Sequence, residues 1–165
     1  MTRLYFALLL ILITAAQSTF LSTSGFLGVS PNLVLVLILV WASRYGVREG
    51  VVWAFGAGLL LDLMALDPLG SNALALIPVA IIGSFAQRPL LQSGVLVAMM
   101  MTVVATVAHF LVASLIDTLT GTGYPVLLSV RMGLLTAFLN ALTVPFMYGL
   151  VILLDRFGVG RVAQA

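Results

Sequence analysis

Long apolar segments alternate with short polar ones along the whole chain. The apolar segments are continuous rather than alternating in polarity, which favours helices over the strands of a membrane barrel. About 20 apolar residues cross the hydrocarbon core of a bilayer as a helix, so the pattern predicts a bundle of transmembrane helices. The six predicted spans cover residues 4–21, 32–43, 50–66, 71–86, 95–116 and 126–154 of a single integral membrane domain, 1–165.

Polar and proline residues mark the limits of these spans. Pro31 opens the second span, which is short enough for a re-entrant segment to be an alternative. The turn 67–70, Asp-Pro-Leu-Gly, ends the third, since the residue before a proline is pushed out of helical conformation. The charged start and apolar first segment resemble a signal peptide, but hydrophobicity continues through Leu21, so we expect a retained span. Trp41 and Trp53 fall where an interfacial aromatic belt is expected.

Composition supports an integral membrane protein. The chain is 62% hydrophobic and 7% charged, whereas a soluble domain has about 25% charged residues. There is no cysteine, which excludes disulfides and thiolate metal sites. The net charge of +2 comes from loop arginines, which report membrane topology rather than nucleic-acid binding.

The arginines predict the orientation in the membrane. Six spans place both termini on one side, and all arginines except Arg131 then share that side. Under the positive-inside rule this predicts cytoplasmic termini. The arginines on the predicted cytoplasmic side are Arg3, Arg44, Arg48, Arg88, Arg156 and Arg161.

A row of small residues leads to an acid on the third span. Gly50, Ala54, Gly58 and Asp62 are four residues apart and so share one helix face. Small residues let another helix approach closely, either within this bundle or from a partner protein. A lone charge near mid-membrane costs about 2.5–3.5 kcal/mol, so we predict an ion pair between Asp62 and Arg131 at matching depth, with a hydroxyl or a backbone amide as the alternative partner of Asp62. Whether that pair serves only the bundle or also a ligand or partner stays open.

The remaining polar residues indicate interhelical contacts rather than catalysis. His109 is the only histidine, so a hydrogen bond to a neighbouring span is favoured over a metal site. Asn140 lies on one face with Thr136 and Thr143, which predicts interhelical hydrogen bonds. Asp62 and Asp117 could suggest an aspartic membrane peptidase. They lack the polar setting of such a dyad, so we expect neither enzymatic activity nor a cofactor.

Several of these motifs occur together in an order that resembles one family, the rod shape-determining protein MreD. The resemblance covers residues 31–88. Members usually carry Asp after the proline that opens the second span, where this chain has Asn32. The matching motifs are Pro31 to Arg44 (PNLVLVLILVWASR), Gly46 to Gly50 (GVREG), Gly56 to Asp62 (GAGLLLD), Asp67 to Gly70 (DPLG) and Ala73 to Ala75 (ALA).

The resemblance implies a non-enzymatic scaffold in the bacterial inner membrane. Such a protein maintains rod shape by binding MreC and, through it, MreB, RodA and the transpeptidase partner of RodA in peptidoglycan synthesis. The family's bundle is also similar to the S component of energy-coupling-factor transporters. The alternative is therefore a small-molecule binding or transport component with an outward pocket near Asp62, Tyr124 and Arg131. The candidate structural or partner-binding residues are Gly50, Ala54, Gly58, Asp62, Asp67, Pro68, Gly70 and Arg131.

Overall fold

The computed structural model describes residues 2–21, 29–65, 68–86, 95–121 and 126–156, and these ranges form six α-helices. The prediction of an all-helical chain is confirmed, and each helix lies within a few residues of a predicted span. The helices are α1 Thr2–Ala16, α2 Leu33–Tyr45, α3 Val47–Ala65, α4 Ser71–Phe85, α5 Val95–Thr120 and α6 Val126–Arg156, and α1 continues into a π-helical turn at Gln17–Leu21.

The short helix α2 is the centre of the bundle. It contacts each of the other five helices, and every residue of the run 34–42 is buried. A helix that is apolar on all sides is stable only when it is surrounded in this way. Its 13 residues span about 20 Å, less than the ~30 Å hydrocarbon thickness. The helix is continuous and passes into α3 through Gly46, whose positive φ of 92° makes the sharp turn possible.

Small residues on α3 bring it against α4 and α2. A Cβ added to Gly58 would lie 2.2 Å from Ala73 Cα, and one added to Gly50 would lie 2.6 Å from Ala42 Cβ. Ala54, which lies midway between these two glycines in the sequence, is also fully buried. The interpretation of this row as a dock for another protein is therefore wrong, because the bundle's own helices already occupy it. Close van der Waals packing of this kind replaces the hydrophobic drive that is missing between helices in lipid.

Aromatic rings fill the core where α2 ends and α3 begins. The Trp41 ring stacks between Phe6 and Tyr45, with centroid distances of 3.6 Å and 4.1 Å. Trp53 donates a hydrogen bond to Glu49, which also forms an ion pair with Arg3. The interfacial-belt prediction is wrong for Trp41, which is 1% exposed. The ring lies inside because α2 is surrounded along its length.

The outward faces of the bundle are apolar. On α6 they form a stripe of residues four apart, each more than half exposed: Leu134, Phe138, Leu142 and Phe146. Within the described ranges, Val95–Thr120 and Val130–Leu153 are long and apolar enough to cross a membrane. Crossing by the other four helices stays a prediction.

Candidate functional site

Asp62 binds the beginning of the next helix. Its Oδ2 accepts a hydrogen bond from Gly70 N at 2.7 Å. Its Oδ1 accepts from Ser71 Oγ at 3.0 Å and from both Asn72 N and Asn72 Nδ2, at 2.9 and 2.8 Å. The first N–H groups of a helix have no partner within the helix, and the positive end of the helix dipole favours an acid there. Asp62, 1% exposed, therefore caps α4 from the last turn of α3.

The predicted Asp62–Arg131 ion pair is wrong, and the alternative, a hydroxyl or a backbone amide as the partner of Asp62, is confirmed. Arg131 is exposed and forms no ion pair within the described ranges. The acid instead finds its donors in the turn that follows its own helix, ten residues or fewer away in sequence. Matching depth in the membrane placed the two residues at one level but did not establish that their side chains face each other.

The turn predicted at 67–70 supplies part of this cap. Gly70 has a positive φ of 95° and offers no side chain, so the cap of α4 comes from Asp62. Pro68 accepts a hydrogen bond from Ser71 N through its carbonyl, at 3.1 Å. Asp67 and Tyr124 lie outside the described residues, so their predicted roles stay predictions.

Three amide side chains hold the beginning of α2. Asn32 Oδ1 accepts from Leu35 N at 2.9 Å, which caps the helix in the ordinary way. Gln17 Oε1 accepts from Val34 N at 3.0 Å, and Gln17 Nε2 donates to Asn32 Oδ1 at 3.2 Å. Asn140 Oδ1 accepts from the Asn32 backbone N at 2.6 Å. The buried start of α2 is thus satisfied by side chains of α6 and of the turn after α1.

The hydrogen bonds predicted for Asn140 and His109 are confirmed. Asn140 Nδ2 also donates to Thr106 Oγ1 on α5 at 3.0 Å. His109 Nδ1 lies 3.1 Å from the Ala75 carbonyl oxygen on α4. The prediction was wrong for Thr136 and Thr143, whose hydroxyls donate to carbonyls of their own helix.

Gln17, Asn32, Thr106 and Asn140 are linked by hydrogen bonds and form a polar layer in the bundle. A cavity of about 300 Å³ lies beside this polar layer, close to the beginning of α2. Asp62 and Arg131 do not line it, although the sequence predicted an outward pocket near them. Its walls come from the turn after α1, the segment before α2, and the helices α5 and α6. The lining residues are Gln17, Val29, Ser30, Pro31, Asn32, His109, Phe110, Met132 and Thr136.

The geometry of the described residues bears on two chemical alternatives, an aspartate pair and a metal site. Asp62 and Asp117 form no hydrogen bond with each other. Within the described ranges, no group of three His, Asp or Glu residues lies close enough to hold a metal ion. The buried polar groups instead tie the ends of helices together.

Comparison with known proteins identifies the family. The family model described as rod shape-determining protein MreD matches residues 1–156. The chain belongs to the MreD family. The same comparisons found no match among curated proteins or among solved structures. Membership of the MreD family indicates that the chain is a membrane protein with a role in rod-shape determination. The likeness of its bundle to the S component of energy-coupling-factor transporters stays a prediction.

The geometry explains how this chain accommodates its departure from the usual MreD pattern. The resemblance placed an acid where this chain has Asn32. The Asn32 amide still caps α2 through Leu35 N, and its Oδ1 also accepts from Gln17. A charge at this position is therefore not needed to begin the helix.

Sequence reasoning missed Gln17 and Thr106 as parts of the polar layer. Gln17 precedes Ser18 and Thr19 near the end of one apolar segment, and Thr106 lies between Thr102 and His109 in another. Polar residues in a membrane segment tend to face protein rather than lipid, and that signal is available for both. Their partners could not be found in this way, because Gln17 bonds residues 15 and 17 positions away and Thr106 bonds one 34 positions away.

Proposed function

We propose that this chain is a non-enzymatic inner-membrane scaffold of the cell-wall elongation complex, which maintains rod shape by binding MreC and positioning peptidoglycan synthesis. The match of the MreD family model to residues 1–156 carries this proposal. In it, all six helices cross the membrane and both termini are cytoplasmic. MreB, RodA and the transpeptidase act with the chain indirectly, through MreC.

The use of the buried polar groups supports a scaffold. Asp62, Asn32 and Asn140 each bond backbone groups at the beginning of a helix. Such bonds fix the relative positions of the helices, because a lost partner would leave a buried N–H group unsatisfied. A bundle held in this way presents a fixed outer surface to a partner helix.

The outward face of α3 is the proposed dock for the membrane helix of MreC. Gly56 lies on that face, and a Cβ added there would meet nothing within 4 Å. Val52, Phe55 and Leu63 around it are 68%, 48% and 62% exposed. A small residue among larger exposed ones leaves a notch that allows a second helix to approach closely.

Replacing the notch with a large side chain tests the dock. We expect Gly56→Leu to reduce the MreC recovered with the chain from solubilised membranes by about tenfold, the equivalent of ~1.4 kcal/mol. The matched control is Gly149→Leu. Gly149 is also exposed, and a Cβ added there would meet nothing within 4 Å. It lies four residues after Pro145 in α6. Because a proline tends to kink a helix, we expect a straight partner helix to pack less well along this part of α6.

The control should leave MreC recovery unchanged, with both variants inserted at the level of the unmodified chain. Equal recovery of MreC with Gly56→Leu and with the unmodified chain would remove this face as the dock. Failure of the unmodified chain to recover any MreC would contradict the proposed partner itself.

A further inference from the structure

Both polar and apolar residues line the cavity beside the beginning of α2. The polar ones are Gln17, Ser30, Asn32, His109 and Thr136, and no charged side chain is among the described residues that line it. The apolar ones are Val29, Pro31, Phe110 and Met132. A charged ligand would find no counter-charge on this wall, so a neutral ligand fits it better.

His109 brings an unused hydrogen-bond acceptor to this cavity. Its side chain is 8% exposed, and its Nδ1 lies 3.1 Å from the carbonyl oxygen of Ala75. A carbonyl oxygen only accepts, so Nδ1 carries the proton, and Nε2 of the neutral ring is then an acceptor. Nε2 bonds no group in the described part of the chain. His109 lines the cavity, so this nitrogen is available to a donor that enters it.

The neighbouring hydroxyls complete a set that suits O–H groups. Thr136 Oγ1 donates to the Met132 carbonyl at 2.9 Å, so its lone pairs remain for a donor. The Ser30 hydroxyl can donate or accept, because no described residue bonds it. The cavity volume of about 300 Å³ corresponds to about ten water molecules at ~30 Å³ each, which is room for one six-membered ring with its hydroxyls.

We propose that this cavity binds a neutral polyhydroxyl group of monosaccharide size. One hydroxyl donates to His109 Nε2, another pairs with Thr136, and the C–H face of the ring packs on Phe110 and Met132. The group belongs either to a free sugar or to the head group of a glycolipid. This binding is independent of the docking of MreC, and it supports the small-molecule alternative for binding only, without transport.

The test uses the fact that His109 is the only histidine of the chain. The full chain, labelled with ¹⁵N-histidine and held in a detergent without a sugar head group, gives imidazole ¹⁵N signals from this one residue. Octyl glucoside and free glucose are the two probes, and octyl tetraoxyethylene is the control with the same tail and no sugar. We expect a saturable shift of the Nε2 resonance with octyl glucoside, while Nδ1 stays protonated.

The two probes distinguish the source of the sugar. Saturation by glucose as well shows that a free sugar suffices, and saturation by octyl glucoside alone assigns a lipid-linked one; either result supports the proposal. A shift that does not saturate, or an equal shift with octyl tetraoxyethylene, would overturn it, since the cavity would then hold only water or alkyl chains.

Two variants of α6 test the cavity itself. We expect Thr136→Val to weaken octyl glucoside binding about fivefold, the effect of one lost hydrogen bond of ~1 kcal/mol. Thr143→Val removes a hydroxyl that bonds the carbonyl of Asn140 and does not line the cavity, so its affinity should be unchanged. Equal affinities of these two variants for octyl glucoside would overturn the assignment of Thr136 to the site. The titration of the unmodified chain does not depend on either variant and tests the proposal even if a variant fails to fold.

Discussion

Single polar residues hold this bundle by binding the backbone at the ends of helices. Asp62 is the clearest case, with four donors from the beginning of α4. The sequence identified Asp62 as a buried acid, but it favoured Arg131 as the partner over the hydroxyl and backbone amides that bind the acid. The cap lies in the turn directly after its own helix, where the glycine at position 70 leaves the beginning of α4 without a side-chain cap of its own.

Asp62→Asn should destabilise the chain by about 2–3 kcal/mol, in the range measured for hydrogen bonds to charged groups. Both carboxylate oxygens accept N–H donors, and the amide NH₂ of asparagine would face one of these donors in either orientation. The measurement is the midpoint of unfolding of the purified chain in a denaturing detergent.

Asp117→Asn is the matched control for this change. The Asp117 side chain is half-buried and accepts no hydrogen bond from a described residue, so its replacement should shift stability by less than about 0.5 kcal/mol. An Asp62→Asn chain as stable as the Asp117→Asn chain would show that the cap is not needed.

At the scale of helices, the apolar pattern predicted where they lie but not how they pack. Each helix corresponds to a hydrophobic segment, because backbone groups in an apolar environment must pair within their own helix. The spacing of Gly50, Ala54 and Gly58 correctly indicated a face for close approach. It could not tell an internal neighbour from an external one, and the neighbours turned out to be α2 and α4.

Gly58→Ala tests the contact between α3 and α4. The added methyl would lie 2.2 Å from Ala73 Cα, so the two backbones must separate, and we expect a loss of about 1–3 kcal/mol in unfolding free energy. Gly56→Ala on the same helix meets nothing within 4 Å and should be neutral or stabilising by up to about 1 kcal/mol. Equal stability of the two variants by thermal unfolding would contradict the packing described here.

The whole molecule is organised around α2, which the sequence did not single out. Several segments are similarly apolar, so hydropathy alone could not show that one of them is surrounded by all the others. Its short length was the available signal, since a helix of 13 residues spans less than the hydrocarbon core. The polar layer, the cavity and the buried Trp41 all follow from this central position.

The cysteine-free sequence makes the proposed topology directly testable. Leu69→Cys places a thiol on an exposed residue of the turn between α3 and α4, and Arg48→Cys places one at the beginning of α3. With both termini cytoplasmic, a membrane-impermeant maleimide should label Cys at 69 in intact spheroplasts and Cys at 48 only after permeabilisation. Labelling in the opposite order would reverse the orientation.

The role in cell shape is tested most directly by the width and length of cells. A rod-shaped bacterium whose resident family member has been removed should become rounded, and expression of this chain together with its proposed partner MreC should restore the rods. The Gly149→Leu chain should also restore them, and the Gly56→Leu chain, present in the membrane at an equal level, should leave the cells round. Cells that stay round with the unmodified chain and MreC both present in the membrane would contradict the proposed function.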